Sequence, residues 1–196
     1  AIETPASQAT IDGWKQQPGM LGMRFTFYTP SLIKILADGG AEWLFDAAEK
    51  AGIPLMVLPR GSLPLIDQVA ERHPGLRLVI DHMAVPGGLK DAAAFAHMPD
   101  LLKLARRPNV AVKASGLAEY TAEAYPFPGL QTYIRQAYDA FGPKRVFWGT
   151  DLTRMPISYR QCITHFTEEL PFLSAIDKEW VMGRGVCEWL GWKLPN

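Results

Sequence analysis

Two short apolar runs in the sequence end abruptly in polar residues that can do chemistry. The run at residues 78–80 leads into Asp81 and His82, and the run at residues 146–148 leads through Gly-Thr to Asp151. Enzymes built on parallel strands place their working groups where such apolar strands end. A histidine there can bind a metal or polarise a carbonyl, and an aspartate can bind a metal or take a proton from water. The alternative is that both residues only cap helices or close turns.

Four further polar side chains are candidates for contacting a substrate in the same pocket. Lys113 and Ser115 end a Val-rich run, where a buried lysine is costly unless it is paired or used. Arg24 lies in an alternating apolar-polar stretch, and Arg154 follows shortly after Asp151. Either arginine can clamp a substrate carboxylate through two hydrogen bonds. Either can equally form a surface ion pair, which contributes little to stability.

A metal site read from these residues is incomplete. Catalytic zinc takes three protein ligands and a water, whereas the strand ends supply only His82 and Asp151. The other histidines fit structural positions better. His73 lies in the last turn of a predicted helix, His97 in a surface-like segment, and His165 in mid-helix without a metal-binding spacing.

The elements that must position these residues alternate between strands and helices. The predicted strands cover residues 20–28, 53–59, 76–82, 109–116 and 145–151. The predicted helices cover 41–51 ended by Gly52, 62–73 capped by Ser62, 91–107, 130–142, 158–169 and 177–190. This alternation predicts an α/β fold with a parallel sheet, and the absence of nucleotide-binding glycine motifs favours a (β/α)8 TIM barrel over a doubly wound sheet. Such a barrel needs eight strands and about 250 residues.

Composition sets further limits. The 196 residues predict one domain spanning 1–196, and 20 basic against 20 acidic residues leave no net charge to attract nucleic acid or a membrane surface. No apolar run is long enough to cross a bilayer. Two cysteines without a signal-peptide pattern favour a reducing cytoplasmic location over a disulfide framework.

The motifs GMRFTF, LVIDHMAVP, NVAVKASGL, RVFWGTDLTRMP and VMGRGVCEWLGW follow one another in that order. Together they resemble the C-terminal two-thirds of a metal-dependent TIM-barrel hydrolase of the amidohydrolase-2 type. That group includes 2-pyrone-4,6-dicarboxylate lactonases, sugar-acid lactonases and, more distantly, carboxylate decarboxylases. The resemblance implies that the five predicted strands are the last five strand–helix units of the barrel.

The resemblance also implies roles for individual residues. His82 corresponds to a strand-end histidine that binds a metal or polarises a carbonyl, and Asp151 to an aspartate that orients and deprotonates water. Lys113 and Ser115 correspond to a pocket-lining segment, and Arg24 to a G-[VM]-R motif. A divalent metal, zinc or manganese, would be bound by His82 and Asp151.

The chain departs from the family pattern because it has no His-x-His motif on a first strand. We therefore expect a chain that is inactive alone and that pairs with another copy of itself or with a missing N-terminal segment. The complete protein is expected to hydrolyse a small lactone or carboxylated ring compound. The alternatives are a non-oxidative decarboxylase on the same fold, or a catalytically silent binding or assembly module.

Overall fold

Five parallel strands form a single sheet in the computed structural model, which describes residues 9–11 and 13–193. Their order across the sheet is the order of the sequence, so each strand pairs with the one before it. The strands are β1 (Met23–Thr26), β2 (Leu55–Leu58), β3 (Leu78–Ile80), β4 (Val110–Ser115) and β5 (Val146–Gly149). All five lie inside the predicted ranges. A sequential order without reversal is the arrangement of barrel strands and differs from a doubly wound sheet.

Helices connect the strands. They are α1 (Pro30–Ala37), α2 (Glu42–Ala51), α3 (Leu63–Arg72), α4 (Asp91–Ala94), α5 (Met98–Lys103), α6 (Pro128–Phe141), α7 (Tyr159–Thr167), α8 (Ala175–Glu179) and α9 (Gly185–Leu190). A π-helical turn over Trp180–Arg184 joins α8 to α9. Over residues 9–11 and 13–193, no helix combines the length and the apolar content that a membrane span requires.

Local chemistry explains which helix predictions agree with the structure and which do not. Gly52 ends α2 in the left-handed conformation, as predicted. Ser62 occupies the N-cap position of α3 as predicted, but its side chain does not cap the helix, because the hydroxyl donates to the carbonyl oxygen of Phe27 at 3.1 Å instead. The single helix predicted over 91–107 is wrong. It is broken between α4 and α5, where Pro99 cannot donate a hydrogen bond to the preceding turn.

The two faces of the sheet have different partners. Leu78, Ile80 and Val112 point into the main hydrophobic core under the helices. Alternate residues point to the opposite face, where Val79 and Ala111 pack in a smaller cluster with partly buried residues that include Trp189 of α9. The polar residues that end the strands lie on this opposite face, so the apolar cluster packs directly beneath the site.

Asn109 connects the helix layer to the sheet. Its side-chain nitrogen lies 3.1, 2.9 and 3.0 Å from the carbonyl oxygens of Ala70, His73 and Leu76, which end α3 and lead into β3. The residue is buried, so no solvent replaces these contacts. The amide thus satisfies carbonyls that the end of a helix leaves without partners.

We expect Asn109→Ala to lower the free energy of unfolding by about 2 to 3 kcal/mol, because buried carbonyls lose their donor. Urea-induced unfolding followed by circular dichroism measures this change. Lys34→Ala is the control, since it removes only an exposed ion pair to Asp38 and should cost less than about 0.5 kcal/mol. Equal losses in the two variants would contradict the assignment.

Candidate active site

A cavity of about 470 Å³ opens where the strands end. Its walls are Arg24, Thr26, Tyr28, Leu58, Arg60, Asp81, His82, Lys113, Asp151 and Arg154. Five of the six predicted site residues therefore line one pocket. The sixth, Ser115, is not in the pocket wall, and its Oγ contacts Nδ1 of His82. A larger cavity of about 680 Å³ around Arg77 and Trp189 lies at the other end of the strands and contains none of these residues.

His82 and Asp151 face each other across the pocket. His82 Nδ1 lies 2.9 Å from Ser115 Oγ and 3.3 Å from the Ser115 carbonyl oxygen. Because a carbonyl only accepts hydrogen bonds, this contact favours a proton on Nδ1 and a free lone pair on Nε2. Nε2 lies 3.7 Å from Asp151 Oδ2. Two acceptors at this separation form a binding place for a water molecule or a cation between them.

The protonation of His82 depends mainly on its burial. Desolvation lowers the pKa of the imidazole below its ordinary value, and the nearby carboxylates of Asp81 and Asp151 oppose that effect. Desolvation is the larger influence, so His82 is neutral at neutral pH. A neutral imidazole is the form that binds metal or accepts a proton.

The backbone at both strand ends is strained. His82, Met83 and Ala84 are consecutive residues with φ values of 52°, 51° and 57°, and Asp151 has φ 52°. None of them is glycine, so the left-handed conformation costs energy at each position. These backbone conformations direct the side chains of His82 and Asp151 towards each other. Strained backbone conformations of this kind are common at functional sites.

His97 holds the strained turn in place. Its Nε2 lies 2.7 Å from the Met83 carbonyl oxygen, and its Nδ1 lies 3.1 Å from the Ala94 carbonyl oxygen. The expectation of an unremarkable surface position for His97 is therefore wrong, because its ring nitrogens contact the backbone beside His82. Nothing in its neighbouring sequence indicates this contact.

Asp81 is a central site residue that sequence reasoning left without a role. Its side chain is 1% exposed and sits between two cations. Arg24 Nε donates to Oδ2 at 2.6 Å, and Lys113 Nζ lies 2.7 Å from Oδ1. A lysine in a buried strand is energetically costly, so the sequence already indicated that Lys113 needs an acidic partner. Asp81 can be that partner because it follows β3, which pairs with the strand that contains Lys113.

Arg154 is paired outside the centre of the pocket. It forms a two-point ion pair with Glu119, in which Nε donates to Oε2 at 2.7 Å and Nη2 to Oε1. The arginine side chain holds the pKa of the Glu119 carboxyl below its usual range. Glu119, Tyr120 and Arg60 were not identified from the sequence, because no motif marks any of them.

Comparison with known proteins identifies the family. The family model described as Amidohydrolase matches residues 8–184. The chain belongs to the amidohydrolase family. The resemblance noted from the sequence motifs is thereby confirmed.

Among curated relatives, the amidohydrolase chain is 32% identical over 163 residues to an L-fucono-1,5-lactonase of Burkholderia ambifaria. The aligned region covers 76% of this chain and 52% of the lactonase, so the chain spans about half the length of that relative.

Solved structures of similar fold include a zinc-bound amidohydrolase from Burkholderia multivorans, with TM-score 0.84, 22% identity and coverage of 100% of this chain and 72% of that one. A Pseudomonas putida protein assigned as a 2-pyrone-4,6-dicarboxylic acid hydrolase aligns with TM-score 0.69 and 23% identity, over 96% of this chain and 69% of that one. These similarities show the fold. They confirm the TIM-barrel class, of which this amidohydrolase chain forms five strand–helix units.

The donor atoms of the amidohydrolase site fit part of a metal centre. His82 Nε2 and Asp151 Oδ2 lie 3.7 Å apart, which two metal–ligand bonds of about 2.1 Å can span. Ser115 holds His82 through Nδ1, and histidines that bind a metal through one ring nitrogen are commonly oriented by such a contact at the other. No group of three His, Cys, Asp or Glu side chains suited to a metal occurs within residues 9–11 and 13–193. The described residues therefore offer two donor atoms to such a centre.

Replacing Asp81 by Asn leaves Arg24 and Lys113 without their shared carboxylate. We expect the free energy of unfolding to fall by about 1 to 3 kcal/mol, which is less than for a fully buried pair because both cations are partly exposed and screened. Urea denaturation of the intact protein measures this. The matched control is Asp139→Asn, which removes only the exposed pair with Arg135 and should change stability by less than about 0.5 kcal/mol. A loss no larger than that of the control would show that the buried triad does not stabilise the site.

Proposed function

We propose that the intact protein hydrolyses a small lactone or a carboxylated ring ester, with Asp151 and His82 as its catalytic residues. The observation that carries the proposal is that Asp151 Oδ2 and His82 Nε2 face each other at 3.7 Å in a pocket lined by cations. The family and the lactonase relative support this class of reaction.

Asp151 is the general base for the attacking water. Its carboxylate takes a proton as the water oxygen bonds to the lactone carbonyl carbon. The lone pair of neutral His82 Nε2 would hold a divalent metal that polarises the carbonyl, whose oxygen gains negative charge in this step. When the carbonyl re-forms, the ring carbon–oxygen bond breaks and the leaving alkoxide takes the proton back from Asp151. The product is the open-chain hydroxy acid.

Four further residues support His82 and Asp151, namely Lys113, Ser115, Arg24 and Arg154. Ser115 orients His82, and Lys113 is held beside it by Asp81. Arg24 and Arg154 are the arginines proposed to contact a substrate carboxylate. Arg24 is engaged through Nε alone, whereas Glu119 occupies both Nε and Nη2 of Arg154. Arg24 is the more available of the two.

We further propose that His82 and Asp151 bind a divalent metal, zinc or manganese, in the intact protein. Such an ion supplies Lewis acidity and lowers the pKa of a bound water. A zinc-bound relative of the same fold and the donor chemistry of the two residues support this assignment. Assays after chelation and after re-addition of zinc or manganese test it.

Asp151→Asn tests the proposed base. We expect kcat for lactone hydrolysis to fall by about 100- to 10,000-fold, because the amide cannot accept the proton from water. The assay follows acid release from L-fucono-1,5-lactone and 2-pyrone-4,6-dicarboxylate by the intact protein. Asp139→Asn, on an exposed surface helix, serves as the control and should retain wild-type turnover.

Full activity in Asp151→Asn would exclude this residue as the base. Release of carbon dioxide in place of an acid proton, measured in the same reactions with a carboxylated substrate, would instead establish the decarboxylase alternative. Each outcome is read directly from the products.

Gly116 offers a test of the geometry between the two catalytic side chains. It has φ 69°, and a Cβ placed there would lie 3.2 Å from Asp151 Cβ and 3.5 Å from His82 Nδ1. We expect Gly116→Ala to lower kcat by about 10- to 100-fold, because misplacing catalytic groups by a fraction of an ångström is costly.

The control for this variant is Gly39→Ala. Gly39 has a similar φ of 76° but nothing within 4 Å of the added methyl. Both variants should lose about 1 kcal/mol of stability from the left-handed backbone, measured by thermal unfolding, and only Gly116→Ala should lose activity. Similar activity in the two would show that contact with His82 and Asp151 is unimportant.

A further inference from the structure

Arg60 is the one cation lining the pocket that has no carboxylate partner among the described residues. Asp81 pairs with Arg24 and Lys113, and Glu119 pairs with Arg154. No acidic oxygen in the described part of the chain comes within 4 Å of the Arg60 guanidinium. With Asp151 included, the side chains of the site comprise four cations and three carboxylates, and Arg60 interacts with one of these carboxylates, Glu119, only through space and without an ion-pair contact.

Neutral side chains hold this guanidinium in position. Nη2 of Arg60 donates to the Tyr120 hydroxyl oxygen at 2.8 Å, and Tyr120 itself is 2% exposed. The guanidinium carbon lies 5.9 Å from the centre of the Tyr28 ring. These contacts orient the planar group without cancelling its charge.

The remaining donors of Arg60 are not used by the protein. Nε is buried and makes no hydrogen bond within the described residues. Nη1 lies against Gly87, where an added Cβ would approach it to 3.3 Å, and it too has no hydrogen-bond acceptor among the described residues. A buried donor without a partner is destabilising. Arginines without an ion pair can be satisfied by backbone carbonyls, as Arg77 and Arg145 are in this structure, whereas Nε and Nη1 of Arg60 are not satisfied in the described part of the chain. Because Nε is covered by protein, Nη1 is the donor left for a ligand in the pocket.

The position of Arg60 relative to the catalytic pair limits what this ligand can be. Arg60 follows β2, whereas His82 and Asp151 follow β3 and β5, and all three line the same cavity of about 470 Å³. That volume suits a single ring compound with substituents. A ligand whose reacting carbonyl lies next to the His82–Asp151 pair can therefore extend a second group towards Arg60 in the same cavity.

We propose that Arg60 binds a carboxylate substituent of the substrate, so that the preferred substrate is a carboxylated lactone and not a neutral sugar lactone. This inference rests on the proposed lactone hydrolysis in the same pocket. The guanidinium forms charge-assisted hydrogen bonds to the carboxylate, with Tyr120 and Tyr28 keeping its orientation. Arg60 is thus a specificity-determining residue for substrate charge.

The kinetic test uses two substrates that differ in charge, 2-pyrone-4,6-dicarboxylate and neutral L-fucono-1,5-lactone. Arg60→Gln should raise KM for the dicarboxylate by roughly 10- to 100-fold with little change in kcat, because a charge-assisted contact is lost in binding. KM for the neutral lactone should change at least about tenfold less than KM for the dicarboxylate, because the neutral substrate has no carboxylate to lose. Arg135→Gln, which alters an exposed surface pair, should change neither substrate.

A binding measurement keeps the inference testable without turnover. Calorimetric titration with benzene-1,3-dicarboxylate and with its uncharged diamide compares wild type, Arg60→Gln and Arg60→Lys, after thermal unfolding confirms that each is folded. Wild type should bind the dicarboxylate at least about tenfold more tightly than the diamide. Arg60→Gln should abolish that preference, and Arg60→Lys should retain part of it, because lysine keeps the charge without the planar donors.

The two proposals fail in different ways. If wild type hydrolyses neither lactone, the proposed function fails, and the titration alone decides the role of Arg60. An equal loss on charged and neutral substrates in Arg60→Gln, or a wild-type protein with no preference for the dicarboxylate over the diamide, would overturn the assignment of a carboxylate subsite.

Discussion

The buried carboxylate of Asp81 is the interaction on which the site depends. It follows β3 and contacts Arg24 from β1 and Lys113 from β4, so that one anion connects three strands at the edge where their polar residues emerge. A carboxylate at 1% exposure is destabilising without cationic partners, and two unpaired cations would repel each other across the pocket. Together they form a compact charged floor. His82 and Asp151, the residues proposed to be catalytic, lie in the same pocket as this floor, together with Arg60 and the Arg154–Glu119 pair.

Strain and support are combined at the strand ends. His82 and Asp151 both adopt left-handed backbone conformations, which neither residue type favours. Ser115 holds the His82 ring, His97 holds the backbone after it, and Gly116 leaves room for the side chains of His82 and Asp151. These contacts and the apolar cluster beneath the site offset the energetic cost of the strained backbone. The result is a pair of acceptors fixed at a separation that suits a third atom between them.

Sequence reasoning reached the fold and the placement of His82 and Asp151 in one pocket, because both follow from local patterns. Apolar runs ending in Asp81-His82 and Asp151 marked two strand ends, and alternation of strands and helices indicated the parallel sheet. Helix α1 was missed because Thr29-Pro30 was interpreted as the end of a strand, whereas Thr29 caps a helix that begins with Pro30.

Arg60 shows where such reasoning ends. Its environment depends on Tyr120, which is 60 residues distant in the sequence, and on the absence of an ion-pair partner among residues 9–11 and 13–193. No local pattern encodes an absence. The left-handed turn at residues 82–84 was equally hidden, since no glycine or asparagine marks it. Tertiary contacts produced both features, and only the assembled sheet reveals them.

The sequential strand order has a consequence for how the chain is made. Each strand from β2 to β5 pairs with the strand immediately before it, so its partner has already left the ribosome when it emerges. Every crossover closes a loop of similar, moderate length, and no strand must wait for a distant one to be synthesised. Co-translational folding can thus proceed by adding one strand–helix unit at a time. Asp81 would meet Arg24 first, and Lys113 would complete the charged floor only after β4 has been added.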